Sequence, residues 1–356
     1  MSERQKTIRQ EAKKRWETIA KPIDSLGLLE DMVSKLCGIY ESVQPPDIKK
    51  RAVLTLCADH GVVASKVTQT DSSVTGIVAD NIAKGTSSVN YMGAISGVDV
   101  YAIDVGMLGD VYDCKELQTG AIIDRKVAQG TKNLVYEAAM SPDVCMQAVE
   151  VGRGLVRDLK KKGYTIVALG EMGIGNTTPT TALLAYLLDA DVDAVTGRGA
   201  GLDDEGLVRK KDAIKAALAR VRAMYPSRKI TGYRLLGELG GLEIAAMVGV
   251  ILEASKCQMA VVLDGAITAV AALLAKNIEP ESMDYVLASH SSAEPVGQMA
   301  LEALGLPAII RGKLCLGEGT GATLLFPMLD AAIAVYEKMQ SFEDMEIEAY
   351  KREGKP

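Results

Sequence analysis

The chain has 356 residues, 48% of them hydrophobic and 24% charged, with a formal net charge of -6 at pH 7. This suits one large α/β domain, alone or with a small satellite, and the slight acidic excess offers no basic face for nucleic acid. The longest apolar runs, such as AAMVGVIL from Ala245, fall short of the roughly 20 residues of a membrane span, and the charged N-terminus lacks the apolar core of a secretory signal, so a cytoplasmic protein is expected.

The first forty residues read as two helices, Arg4 to Ile19 and Leu26 to Tyr40, ended by Pro45-Pro46. Short apolar runs then alternate with helical stretches. The informative runs are Ala52 to Cys57 before ADHG, Val98 to Ile103 before DVG, Thr165 to Leu169 before GEMGIGNTT, Met259 to Leu263 before DG, and Tyr285 to Leu287 before ASHSSAE. Each is continuously apolar, as expected of strands covered on both faces. Helical segments such as Pro179 to Leu188 and Lys211 to Arg222 lie between them, and the alternation predicts an α/β fold with an open, mainly parallel sheet and flanking helices. A last helix is expected from Pro327 to Met339, followed by a polar tail that frays.

Polar residues follow these runs: Asp59-His60, Asp104, Glu171, Asp264 and Ser289-His290. In an open α/β sheet such positions line the crevice at the carboxyl ends of the strands. A lone acid after a strand often only caps the next helix; a set of such turns argues for one shared site. The six cysteines (Cys37, Cys57, Cys114, Cys145, Cys257, Cys315) show no CxxC pair, and His60 and His290 are the only histidines, so no metal is expected.

Three glycine-rich segments carry the chemistry. In GEMGIGNTTPTT, Gly173 and Gly175 allow close backbone approach, Asn176, Thr177 and Thr178 are good N-cap residues, and Pro179 suits a first helical turn. The segment is either a well-capped helix after a tight turn or a phosphate site at a helix N-terminus; it is neither a Walker loop nor a dinucleotide fingerprint. In LGEGTGAT, glycines surround Glu318. That carboxylate is either solvated in a turn or, in a pocket with few polar neighbours, raised in pKa and able to act as a base. In GRGAGLDDEGLVRK, Gly199 lies in a loop from which Lys210 could reach a phosphate, unless the loop is merely surface. A Ser/His/acid triad around His290 has no GxSxG elbow to support it.

Taken in order, KPIDSLG, CADHGV, IDVG, GEMGIGNTTP, GRGAGLDDEGLVRK, LGGLEIAAMVG, LDG, ASHSSAE and LGEGTGA resemble the nicotinate-nucleotide–dimethylbenzimidazole phosphoribosyltransferase family of cobamide synthesis, over nearly the whole chain. The resemblance implies a large α/β domain (46–324), a small helical domain from both chain ends (1–45 with 325–356), and a dimer without a cofactor. It implies phosphoribosyl transfer from nicotinate mononucleotide to an aromatic base, with Glu318 as proton acceptor and Glu171 beside the reacting centre. The donor and its phosphate would lie near Gly173, Gly175, Asn176, Thr177, Thr178, Gly199, Lys210, Ser289, His290 and Ser292. The base would lie near Asp59, His60, Thr70, Val78, Met172, Ala266 and Leu316. The chain departs from the family pattern at Ile23-Asp24, Ser65-Lys66, Asp71, Ala266 and Cys315, expected around the ligand. Those departures also fit heterodimeric relatives that activate phenol or p-cresol, either as a catalytic subunit or as a non-catalytic subunit stabilising an active partner.

Overall fold

The structure, a computed structural model, describes residues 1–45, 47–109, 114–227 and 229–351. Part of the Pro45-Pro46 break and residues 352–356 of the expected tail lie outside the described residues. Six parallel strands form one sheet: β1 (Arg51–Ala58), β2 (Val98–Gly106), β3 (Ile122–Asp124), β4 (Ile166–Met172), β5 (Ala260–Leu263) and β6 (Val286–Ala288), in the order β3-β2-β1-β4-β5-β6. The chain builds outward from β1 through β2 and β3, then returns to the other side of β1 with β4. The order reverses between β1 and β4, where an open α/β sheet opens its ligand crevice.

Every residue of β1 is buried, which explains its unbroken apolar run. Its side chains alternate between two cores. Leu54 and Leu56 join Val167, Leu169 and Ile244 on one face, and Val53 joins Ala102, Ile166, Phe326 and Leu329 on the other. Two polar positions expected in turns belong to strands instead: Asp104 is in β2 and Glu171 in β4, because the ladder with β1 continues to Leu56↔Glu171 and Cys57↔Met172.

The last helix runs Thr320–Lys338, so it begins well before Pro327, which the sequence reading takes as its start. A proline inside a helix removes one hydrogen bond to the carbonyl four residues back. Here that acceptor is Thr323, and Ser96 Oγ donates to its carbonyl at 2.8 Å, so the vacancy is filled from outside. The end of this helix packs with the helices Glu3–Thr18 and Leu28–Ile39 around Trp16, Val33, Ala332 and Tyr336. The rings of Trp16 and Tyr336 meet edge to face at 4.8 Å. Arg51 at the start of β1 grips Asp330 with two hydrogen bonds of 3.1 and 2.9 Å, fastening the same helix to the sheet. One continuous helix therefore joins the sheet to the cluster formed by the chain ends.

The helices Pro142–Lys161 and Leu242–Lys256 cross with their backbones nearly touching. A Cβ at Gly249 would lie 1.9 Å from the Val149 carbonyl oxygen, and one at Gly152 would lie 1.8 Å from that of Ala246. Backbone cannot yield as a flexible side chain does. Gly249→Ala should therefore cost about 2–3 kcal/mol, measured as a lower midpoint in urea unfolding; an unchanged midpoint would contradict this packing.

Candidate active site

A cavity of about 280 Å³ opens at the carboxyl ends of β4 and β5, next to the sheet's reversal point. Its walls bring together distant parts of the sequence. They include Thr70 and Val78, Glu171 to Thr177, Arg198 to Ala200, Asp264 to Thr268, His290, Ser292 and Glu294, and Cys315 to Glu318.

At one end, the turn after β4 leads into the helix Thr177–Leu188. Asn176 occupies its N-cap position but caps no amide; its Nδ2 donates to the Glu171 carboxylate instead. The first-turn amides thus have no side-chain cap from Asn176, and an uncapped helix N-terminus is suited to binding an anion. Lys210, 1% exposed, donates to Thr177 Oγ1 at 2.7 Å and to the Gly197 carbonyl at 3.0 Å. It pins the helix start to the 197–201 loop, and burial lowers its pKa to about 8, with Glu294 opposing the shift. Glu294 in turn accepts from the Gly199 amide at 3.1 Å.

At the other end, Gly317, Glu318 and Gly319 have φ of 88°, 63° and 98°. Three successive left-handed residues form a tight arch, and glycine on both sides of Glu318 is what makes it accessible. The Glu318 carbonyl accepts from Thr55 Oγ1 at 2.9 Å, and its amide donates to the Glu171 carbonyl at 3.2 Å. The carboxylate of Glu318 is pushed up in pKa by burial, resisted by the Val89 amide and the Ser87 hydroxyl at the start of the helix Ser88–Ile95. Its Oε2 is buried and accepts no hydrogen bond from the described residues.

Two further carboxylates complete a like-charged cluster. Burial raises Glu171 to about 8; Asn176 opposes this, and Asp264, Glu243 and Glu318 add to it. Burial likewise raises Asp264 to about 7, against the pull of three backbone amides. The site therefore holds three carboxyl groups that burial shifts in the same direction.

Several expected residues stand behind the cavity wall. Asp59 turns to accept the Leu108 amide at 2.8 Å. His60 pairs with Glu243 at 2.9 Å, both side chains being inaccessible, and its ring backs the turn at Gly173. Ser289 donates to the Leu263 carbonyl at 2.7 Å, and Thr178 is fully buried with its hydroxyl unpartnered among the described residues. Lys210 too acts from behind the wall, through Thr177. By contrast Gly173, Gly175, Asn176, Thr177, Gly199, His290 and Ser292 line the cavity, as do Thr70, Val78, Met172, Ala266 and Leu316. Sequence reasoning passed over Arg198, which lies between two glycines of a loop read only for its backbone.

The phosphoribosyltransferase family model matches residues 1–347. The nicotinate-nucleotide–dimethylbenzimidazole phosphoribosyltransferase of Ruminiclostridium cellulolyticum is 39% identical over 96% of this chain and 94% of its own length. The protein of the same name from Acetivibrio thermocellus is 39% identical over 95% and 93%. The chain belongs to this phosphoribosyltransferase family. A solved family structure, CobT from Thermus thermophilus, superposes with a TM-score of 0.89 at 36% identity, covering 96% of this chain and 99% of that one.

The chain's departures from the family pattern, expected around the ligand, do not all gather at this cavity. Ala266 and Cys315 line the cavity. Ser65 instead accepts from Asn133 at 2.9 Å, the Lys66 carbonyl accepts from Arg209, and Asp71 faces outward to Ser73. Ile23 and Asp24 lie in a separate depression beside Trp16.

The cluster has a consequence for stability. A carboxyl group whose pKa is raised by folding binds its proton more tightly in the folded state, so its contribution is full below the unfolded value and is lost as pH rises through the folded one. For Glu171 that window runs from its ordinary 4.5 to about 8. The melting temperature of the ligand-free protein should fall between pH 5 and pH 8, and Glu171→Gln should flatten the fall. An equally steep decline in the variant would remove Glu171 as its source.

Proposed function

We propose that the chain transfers the phosphoribosyl group of nicotinate mononucleotide to a benzimidazole-type base, giving nicotinate and an α-ribotide for cobamide assembly. The reaction is the one named for its relatives. The observation that carries the base assignment is Glu318 Oε2, a buried acceptor without a partner among the described residues, at the edge of a cavity whose opposite end is an uncapped helix N-terminus.

The donor phosphate is read against the amides at Thr177 and the turn before it, with Lys210 charging that end from behind. The apolar walls of Val78, Met172, Ala266 and Leu316 receive the planar base. A ring nitrogen of the base attacks C1′ of the ribose from the face opposite the nicotinate. The C1′–N bond breaks, and its electron pair leaves with nicotinate, whose ring nitrogen becomes neutral. The N–H proton of the attacking ring passes to Glu318. Holding both reactants in one cavity replaces a bimolecular encounter by an oriented one.

The six cysteines are unpaired, in keeping with a cytoplasmic setting, and no described helix is long and apolar enough to cross a membrane. Tyr91 and Ile95, one turn apart on the helix Ser88–Ile95, are 65% and 86% exposed. We read this face as covered by a second chain of the same family, like or unlike. Ile95→Asp should then lower the mass seen in analytical ultracentrifugation, and an unaltered mass would remove this face from the interface.

Purified protein mixed with nicotinate mononucleotide and dimethylbenzimidazole should release nicotinate, and Glu318→Gln should lower kcat by about 10²–10⁴-fold. Absence of nicotinate with any benzimidazole, or an undiminished kcat in Glu318→Gln, would overturn the assignment.

A further inference from the structure

Glu318 is placed by backbone, and the backbone around it is held by a residue from another strand. The helix Thr320–Lys338 starts at Gly319, which has no side chain to cap it. Its first amides would be orphaned in the buried edge of the sheet. Asp264, at the turn after β5 and 3% exposed, fills that role across space. Its Oδ2 accepts from the Gly319 amide at 3.3 Å and its Oδ1 from the Ala322 amide at 2.9 Å, and the Gly321 amide also bonds to this carboxylate. The Gly319 and Ala322 bonds bracket the point where the chain leaves the left-handed arch and becomes helical. An anion at a helix N-terminus is favoured by the helix dipole as well as by the hydrogen bonds.

We propose that Asp264 is the positioning residue for the proton acceptor: by capping the terminal helix from outside, it fixes the arch that presents Glu318. The proposal rests on the reading of Glu318 as the base. The charged groups facing Glu318 are Glu171 from β4 and Asp264 itself; Ser87 and the Val89 amide face it from the helix Ser88–Ile95. His290, whose Nδ1 is 4.0 Å from Asp264 Oδ1, is held toward its neutral form by burial. Through its bonds to the amides on either side of the helix start, Asp264 keeps Glu318 in place.

Asp264→Asn separates this role from simple structure. The amide keeps the shape, loses the charge, and turns an N–H₂ group toward backbone donors. We expect kcat for nicotinate release to fall about 10²-fold, as a small misplacement of a reacting group can cause, while KM for nicotinate mononucleotide changes by less than about threefold. We also expect the Glu318 resonance, followed by ¹³C NMR in protein labelled at glutamate Cδ and assigned with Glu318→Gln, to titrate at a different pH from the wild type, because the displaced arch changes the burial of its carboxyl group. Unchanged titration of Glu318, or a raised KM with kcat intact, overturns the proposal. If the wild type releases no nicotinate, the functional reading fails, and the titration alone still decides whether Asp264 governs Glu318. Should Asp264→Asn not fold, Asp264→Ser, which keeps one acceptor without the charge, is read by the same outcomes.

Discussion

The contact on which the site depends is a backbone against a backbone. A Cβ at Gly170 would lie 2.2 Å from the Glu318 carbonyl oxygen. Because that position in β4 has no side chain, the arch at Gly317–Gly319 can rest directly on the sheet edge, and Thr55 from β1 can donate to the same carbonyl. The terminal helix then has only one direction in which to leave. It runs along the sheet, is fastened by Arg51 and Asp330, and ends among the helices from the other chain terminus. Packing far from the cavity, such as Trp16 on Tyr336, thereby supports the position of one carboxylate.

The second constraint is electrostatic. Glu171, Asp264 and Glu318 approach one another in a buried setting that disfavours charge on each. The structure offsets this cost unequally. Asp264 receives backbone amides, Glu171 receives the Asn176 amide group, and Glu318 receives partial support at the start of the helix Ser88–Ile95 while one oxygen stays unpartnered among the described residues. On the proposed reading, the residue with an unused acceptor, Glu318, is the one that takes the substrate proton.

Much of this was legible in the sequence. The strand order could not be, but the strands could: covered on both faces, they are written as unbroken apolar runs, and the polar residues after them mark one edge of the sheet. The glycine segments were legible as backbone approaches. What failed was partner choice over distance. His60 looked like a cavity residue because its partner, Glu243, lies 183 positions away, and Asn176 looked like a cap because the competing acceptor, Glu171, belongs to the strand before it. Pro327 looked like a helix start because nothing local reveals that Ser96 occupies the carbonyl it frees.

The departures from the family pattern are best weighed by where they fall. Only Ala266 and Cys315, of those named, line the cavity. Ala266 is small and buried at 3% exposure, and it begins the helix Ala266–Ile278 directly after Gly265. Cys315 is exposed at the rim, immediately before Leu316. Neither supplies a group to the Asp264 cap, the Gly170 contact or the Lys210 bonds. On the proposed reading, the parts that hold the donor end and aim Glu318 are thus made by residues other than these two departures. A chain of this architecture can alter which aromatic base it accommodates without rebuilding the machinery that would deprotonate it.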